Sequence, residues 1–351
     1  MSEPACTVVD LGGTTLRTAR YDLATGTLSD VRRTPTEGLD RYPGAPVAVL
    51  QERVREQLAT RCAEAVERHG SRALAVAFAG PVTADGRALA APTIWGGPGE
   101  PLPVRQSLED RLGLPVVVVN DLTAAAWRYV HGPGEPPFCL ITVSSGIGSK
   151  VYRAGEVLLD AEGHGGELGH WPCDPSPDAP RCDCGGRGHL GGIASGRGTL
   201  AAARRAAHAD PVGYARSALA ATAPGPDRLD NPALVAAIRS GDPFATGVLR
   251  SVLPHLASAI ISVFTSIGIR RYILMGGFAL AVGPRYVQLL TEELERLGCF
   301  GLDADGIRRM VTLGAPDDDH GLIGAGRLLA ARAAGHEVAA RGVGHGAVTA
   351  V

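Results

Sequence analysis

The sequence predicts an α/β fold, and three observations carry that prediction. Short apolar runs of strand length recur along the 351 residues, stretches of helical spacing separate them, and several runs hand over directly to small glycine turns. The opening segment TVVDLGGTTLRTARYD, Thr7 to Asp22, reads as a β-hairpin. Its apolar run Thr7 to Val9 delivers Asp10 to the strand end, Gly12-Gly13-Thr14-Thr15 makes a tight turn, and alternation resumes through Leu16, Thr18 and Arg20. Val47 to His69 has helical spacing at Leu50, Val54, Leu58, Cys62, Ala65 and Val66, and ends on Gly70 as a C-cap. Leu74 to Phe78 is a buried strand followed by Ala79-Gly80-Pro81. Val116 to Val119 is another, ending in Asn120-Asp121 and running into the helical pattern Leu122 to Tyr129. Phe138 to Val143 is a further strand, followed by Ser144-Ser145-Gly146-Ile147-Gly148. Helices are expected over Thr199 to Ala221 and Asn231 to Ile267, and a strand at Tyr272 to Met275 that leads into Gly276-Gly277.

Length and composition bound the function. The chain has room for about two domains with substantial cores. It is 45% hydrophobic and 20% charged, and 34 Lys plus Arg against 36 Asp plus Glu leave a net charge of −2. That balance argues against a protein that coats nucleic acid. Glu3 and Asp10 fall where a secretory signal would be basic and then apolar. The longest mostly apolar run, around Leu256 to Ile269, contains Ser and Thr and stays below membrane-spanning length. Seven cysteines in this context fit a reducing cytoplasm better than a disulfide framework. The expected partner is a small molecule, with no nucleic acid and no membrane.

The stretch Gly165 to Gly192 reads GGELGHWPCDPSPDAPRCDCGGRGHLGG. Glu167 and His170 are followed by a Pro/Asp-rich loop, a Cys182-x-Cys184 pair and His189. Soft and borderline donors held close together in a glycine-rich loop are what a tetrahedral zinc site requires. Ordinary loop residues with two free thiols are the plainer alternative. However, thiols one residue apart do not pair easily, and Gly185, Gly186 and Gly188 permit the tight turns that ligation demands. The favoured ligands are His170, Cys182, Cys184 and His189, with Cys173 in reserve.

Three strands hand over to small turns, at Gly12-Gly13-Thr14-Thr15, Ser144-Ser145-Gly146 and Met275-Gly276-Gly277. Glycines let the backbone approach a bulky anion, and exposed N–H groups with hydroxyls can cradle phosphate oxygens. One such turn is weak evidence; three of them with an Asp at a strand end and a metal loop are more specific. There is no Walker A pattern and no GxGxxG opening a helix.

VDLGGTTLR, Val9 to Arg17, resembles the first phosphate motif of the sugar kinase, hexokinase and actin-like ATPase superfamily. The Glu167-Leu-Gly-His170 box followed by Cys182-x-Cys184-Gly-x-x-Gly188 is similar to the signature of the ROK family (repressors, open reading frames and kinases). The likeness extends in order to Ala79-Gly80-Pro81, Asn120-Asp121, Ser145-Gly146-Ile147-Gly148, Gly276-Gly277 and Gly321-Leu322-Ile323-Gly324-Ala325, so it covers nearly the whole chain. It implies two ribonuclease H-like lobes around a cleft. Residues 1–128 with 318–335 would form a small lobe carrying the first phosphate motif and the catalytic Asp. Residues 129–317 would form a large lobe with the zinc loop and nucleotide site, and 336–351 a loose tail.

By the same resemblance, ATP phosphates would sit at Gly12, Gly13, Thr14, Thr15, Ser145, Gly146, Gly276 and Gly277. Asp10 would hold Mg²⁺ through water; the plain alternative for it is a turn-forming Asp. Asn120, Thr93 and Gly80, with Glu167 and His170, would line a sugar-like polyol. His170 would also ligate a zinc that is structural and not a Lewis acid on the phosphate. Asp121 is the choice for general base on its own merits, since it follows a buried strand and has no obvious basic neighbour. Its plainer reading is a helix N-cap before Leu122. A homo-oligomer, most simply a dimer, is expected.

Departures from the family pattern bear on substrate. His189 stands where a third Cys is usual, and Gly191 where sugar kinases place a Glu that reads ring hydroxyls. Thr93 stands where a sugar-contacting Asn is expected, and Lys150 replaces a small residue. The half that addresses the reacting CH₂OH group, Asn120 and Asp121, is intact. Three classes follow: an ATP-dependent kinase, a repressor, and a silent sugar sensor. Only nine residues precede Asp10, which leaves no room for a winged helix, and the retained Asp121 and phosphate turns speak against a sensor. Within the kinases, a C7-cyclitol kinase of aminocyclitol antibiotic biosynthesis fits better than a glucokinase or another hexose or hexosamine kinase.

Overall fold

The computed structural model describes residues 5–334; the tail expected over 336–351 lies outside them. Among the described residues there are ten strands: β1 (Ala5–Leu11), β2 (Thr15–Asp22), β3 (Leu28–Pro35), β4 (Leu74–Phe78), β5 (Val116–Asn120), β6 (Phe138–Val143), β7 (Ile147–Arg153), β8 (Glu156–Val157), β9 (Tyr272–Met275) and β10 (Val311–Leu313). They form two sheets, ordered β3-β2-β1-β4-β5 and β10-β9-β6-β7-β8. In each, a tight hairpin comes first and two later strands extend it in parallel, β4 and β5 beside β1, β9 and β10 beside β6. The sheets thus repeat one plan, and the α/β expectation holds.

The chain divides into two compact units. One comprises residues through Glu135, Arg153–Gly165 and the chain from Asp317; the other comprises Pro136–Tyr152 and Gly166–Pro316. Arg153–Gly165, assigned above to the second lobe, packs with the first. Gly163 explains why: a Cβ there would lie 2.1 Å from the Val82 carbonyl oxygen, and the Ala84 N–H donates to the Ala161 carbonyl at 3.3 Å.

In the first unit, the helix Val47–His69 buries Leu50, Val54, Leu58 and Cys62, spaced four apart, against Val9, Leu11, Leu74 and Val76 of the sheet. Each large side chain withdrawn from water in this way contributes about 1.5–3 kcal/mol. The helix His320–Ala333 approaches closely through its glycines. A Cβ on Gly324 would lie 1.7 Å from the Ala124 carbonyl oxygen, and one on Gly321 2.8 Å from the Asp10 carboxylate. The Gly321-Leu322-Ile323-Gly324-Ala325 run is therefore a packing face against β1 and the helix Asp121–Trp127.

The second unit's core forms around the helix Pro243–Ile267, which buries Leu249, Leu253, Leu256 and Ile260. This helix is 25 residues long and, by length and composition, apolar enough to cross a membrane; half of its most apolar window is buried inside the protein. That corrects the estimate made from Leu256 to Ile269 alone. The expected helix Asn231–Ile267 is two helices, Asn231–Arg239 and Pro243–Ile267, and Thr199–Ala221 is three, Gly196–Ala209, Pro211–Ala215 and Ala218–Thr222. Two of these three breaks have a shared cause. Asp242 and Asp210 each cap a new helix, accepting from the N–H of Ala245 and of Gly213 at 2.8 Å, with proline at the first helical position.

Candidate active site

In the first unit, register sets the predicted residues side by side. Parallel pairing places Asp10 opposite Ala77 and Phe78 opposite Asn120, so the carboxyl ends of β1, β4 and β5 share one edge of the sheet. Ligands in open parallel sheets bind beyond that edge.

Asn120, and not Asp121, caps the helix Asp121–Trp127. Its Oδ1 accepts from the N–H groups of Leu122 (3.0 Å) and Thr123 (3.2 Å), while Nδ2 donates to the Gly80 carbonyl (3.0 Å) and to Asp121 Oδ1 (2.8 Å). The capping alternative for Asp121 thus passes to its neighbour. Asp121 sits at the first helical position, half-buried, with Oδ1 also accepting from the Leu122 N–H at 2.8 Å. A carboxylate held through one oxygen by two donors has a fixed direction, which suits a base that must meet one particular proton.

Gly80 is in turn pressed on the next loop, where a Cβ would fall 2.0 Å from the Ala90 carbonyl oxygen. The turn after β1 is equally tight. The Gly12 N–H donates to the Thr15 carbonyl at 3.0 Å, Thr36 Oγ1 donates to the Gly12 carbonyl at 2.8 Å, and Thr14 is exposed. A Cβ on Gly13 would lie 2.6 Å from the Thr93 carbonyl oxygen, so exposed Thr93 backs onto the first glycine turn. Asp10, Gly12, Gly13, Gly80, Thr93, Asn120 and Asp121 therefore lie within one unit, Gly13 against Thr93, and Asn120 bonded to both Gly80 and Asp121.

Asp10 has a partner that the sequence reading missed. Arg17, opposite it in the hairpin, donates to Asp10 Oδ2 and also reaches Asp318 Oδ2 at 3.1 Å and Asp319 Oδ1 at 3.4 Å. Burial holds the Asp10 carboxyl above its ordinary range, and the Arg17 guanidinium offsets only part of that rise. The Asp-x₆-Arg spacing of a two-strand hairpin was the available signal.

In the second unit, the other two turns adjoin each other at the carboxyl ends of β6 and β9, paired through Thr142 and Met275. The Ser144 N–H donates to the Gly146 carbonyl at 2.9 Å, leaving Ser145 exposed at the tip. Gly276 has φ +94°, and a Cβ on it would lie 2.5 Å from Thr142 Oγ1, so only glycine fits. A Cβ on Gly277 would be 3.8 Å from Ser144 Oγ. A further element joins them unannounced: the Gly196 N–H, at the start of the helix Gly196–Ala209, donates to the Ser144 carbonyl at 2.8 Å. The run Ser195-Gly196-Arg197-Gly198, with Ser195 capping Gly198 at 3.1 Å, was its signal.

Glu167 precedes and His170 ends a single turn of 3₁₀ helix, Leu168–His170, with the His170 N–H donating to the Glu167 carbonyl at 2.9 Å. Both side chains are exposed, and Lys150 on β7 forms an ion pair with Glu167. Next to this turn, a Cβ on Gly191 would lie 3.1 Å from the Gly169 carbonyl oxygen.

The donor atoms of His170, Cys182, Cys184 and His189 all lie within 4.8 Å of one another. His170 Nδ1 is 3.7 Å from Cys182 Sγ, His189 Nδ1 is 3.2 Å from Cys184 Sγ, and the two imidazoles stand nearly perpendicular at 86°. Glycine makes room: a Cβ on Gly186 would fall 2.4 Å from the His189 ring, and one on Gly188 1.7 Å from the Asp174 carbonyl oxygen. Cys173 is not in this group; it is half-buried against the core, which pushes its thiol up to about 11. Two imidazoles and two thiols converging on one point suit zinc.

The model of the ROK family matches residues 6–332. A C(7)-cyclitol 7-kinase from Streptomyces hygroscopicus subsp. jinggangensis is 56% identical over 93% of both chains. A 2-epi-5-epi-valiolone 7-kinase from an Actinoplanes species is 33% identical over 97% of both. Among solved structures, a ROK family glucokinase from Streptomyces griseus, in complex with glucose and AMPPNP, is 26% identical. It aligns with a TM-score of 0.68 over 92% of this chain and 98% of its own.

Proposed function

This chain belongs to the ROK family, and from that premise we propose that it is a C7-cyclitol kinase, transferring the γ-phosphate of ATP to the primary hydroxyl of a seven-carbon carbocyclic polyol. Its class is that of an ATP-dependent phosphotransferase with an alcohol acceptor. The observation that carries the mechanism is the Asp121 carboxylate, fixed by Asn120 and the Leu122 N–H at the end of β5. The substrate class is supported by the C(7)-cyclitol 7-kinase, alike over nearly its whole length, and by the rewritten positions Thr93 and Gly191 beside an unaltered Asn120-Asp121.

In this reading Asp121 accepts the proton of the attacking hydroxyl, and Asn120 keeps it on line. Phosphoryl transfer needs little covalent help, so positioning and charge neutralisation supply most of the acceleration. In the first unit Gly13, Thr14 and Thr15, on the turn that the Gly12 N–H closes, offer backbone N–H groups and hydroxyls to the nucleotide's phosphates; in the second unit Ser145, Gly146, Gly276 and Gly277 are suited to the same task. Asp10, an oxygen donor with Oδ2 engaged by Arg17, would hold a hydrated magnesium ion, which when bound neutralises phosphate charge. Glu167 and His170 bind ring hydroxyls. Phosphorylation by ATP across hexoses, hexosamines and C7-cyclitols, with the phosphorylated oxygen located by NMR, tests the reading; no turnover of any cyclitol would end it.

Zinc on His170, Cys182, Cys184 and His189 would be closed and structural, fixing the His170 ring next to Glu167. The exposed Cys184 thiol there is best kept in a reducing compartment, which favours the cytoplasm. Metal analysis should find one zinc per chain, abolished by Cys184→Ser and retained in Cys173→Ser. Structural zinc is worth on the order of 10 kcal/mol in small sites, so strong chelation should loosen the second unit, seen as faster proteolysis between residues 166 and 195. Zinc-free protein with full activity would overturn this assignment.

A further inference from the structure

Lys150 lies in the interior of β7, opposite Leu140 of β6, and its side chain is only 4% exposed. Lysine is kept so far out of water where its charge is answered. Its Nζ lies 3.3 Å from Oε1 of Glu167, whose own side chain is 56% exposed. The cation is thus the buried partner, and the carboxylate the one turned toward solvent.

The backbone prepares this pair on both sides of Glu167. Ser149 donates its N–H and its Oγ to the Gly166 carbonyl, at 3.1 and 2.6 Å. A Cβ on Gly166 would lie 2.2 Å from the Ser149 carbonyl oxygen, and one on Gly169 1.9 Å from that of Ile147. Residues 166–169 are therefore laid backbone against backbone on β7, before and after Glu167. Lys150 supplies the side-chain tie to the residue between.

We propose that Lys150 is a positioning residue for substrate recognition. By holding Oε1 of Glu167 it fixes the carboxylate rotamer and leaves Oε2 the less engaged oxygen, so that a substrate hydroxyl is favoured at Oε2 where an untied Glu would offer two equivalent oxygens. The proposal rests on the reading of Glu167 as a substrate-binding residue. Its consequence for specificity is direct. A polyol with a hydroxyl at one of two neighbouring ring positions, and a carbonyl or an inverted hydroxyl at the other, loses little at this site. A substrate that relies on a vicinal diol chelated by both carboxylate oxygens gains less here than at an untied Glu.

The test compares Lys150→Met, Lys150→Arg, Glu167→Gln and the double variant Lys150→Met/Glu167→Gln, reading KM for the polyol, KM for ATP and kcat separately. Loss of orientation at a substrate contact costs about ten- to a hundredfold. Lys150→Met should accordingly raise the polyol KM about tenfold or more, with the KM for ATP unchanged and kcat within about threefold. Lys150→Arg should recover most of the loss, and the double variant should be no worse than the poorer single. If Glu167→Gln leaves the polyol KM unchanged, the substrate-binding reading of Glu167 fails. If Glu167→Gln raises it while Lys150→Met does not, or if the two effects multiply, the reading of Glu167 stands and Lys150 has no positioning role. Thermal midpoint and metal content monitor folding, and Lys150→Gln carries the same comparison should the methionine variant fold poorly.

Discussion

Replacing Asp121 with asparagine is expected to lower kcat by about 10²–10⁴-fold, the usual contribution of a positioned general base. That corresponds to about 3–5 kcal/mol of transition-state stabilisation. The substitution is well matched to the site. Asn120 Nδ2 and the Leu122 N–H both donate to Asp121 Oδ1, and an amide oxygen in that place accepts the same two bonds. What is lost is the carboxylate's charge and with it the capacity to take up a proton. Thermal midpoint and nucleotide Kd should therefore remain near the wild-type values while turnover collapses. Asp121→Ala should behave differently, because Asn120 then loses one of its anchors and can swing away from the Gly80 carbonyl. A variant Asp121→Asn that keeps more than about a tenth of the wild-type rate would remove the general-base role. A loss of nucleotide binding on the same scale would recast Asp121 as a structural residue.

How much of this could be read in the sequence depends on what kind of interaction carries each feature. Strands buried on both faces are legible because apolar continuity is their physical requirement: Leu74–Phe78, Phe138–Val143 and Tyr272–Met275 begin and end where the apolar runs do. β3 is not legible, since an edge strand with the sequence LSDVRRTP is half exposed and shows neither alternation nor an apolar run. The helix Pro284–Leu297 was legible from Tyr286, Leu289, Leu290 and Leu294 at helical spacing, yet the reading passed over it. The helix breaks at Asp210-Pro211 and Asp242-Pro243 were also written locally, but overall apolar content masked them. At the site, motif order pointed to Asn120-Asp121 and to the His/Cys loop, where spacing along the chain and proximity in space coincide. Arg17 beside Asp318 and Asp319, and Lys150 beside Glu167, are pairs between distant segments. No local pattern announces a partner seventeen or three hundred residues away; the fold supplies it.

Glucose should be a poor substrate, behind at least one C7-cyclitol by about one to four powers of ten in kcat/KM. A missing partner for a buried hydrogen-bonding group costs roughly 1–3 kcal/mol, and two such partners are altered here. Thr93 leans on the first glycine turn with a short hydroxyl where a longer amide would reach outward, and Gly191 has no side chain at all. If both contacts act in the transition state, the losses add into the specificity constant. The environment of Gly191 also sets what restoration would require. A Cβ there meets the Gly169 carbonyl oxygen at 3.1 Å, so Gly191→Glu asks the turn carrying Glu167 and His170 to yield by a few tenths of an ångström. The expected result is that Gly191→Glu raises kcat/KM for glucose relative to the cyclitol, while absolute rates stay below wild type because of that displacement. Adding Thr93→Asn should widen the shift. Side-by-side specificity constants decide the matter. Glucose outperforming every cyclitol with the wild-type protein would make this a glucokinase with an unusual pocket, and a Gly191→Glu variant with unchanged preference would show that position 191 does not read the ring.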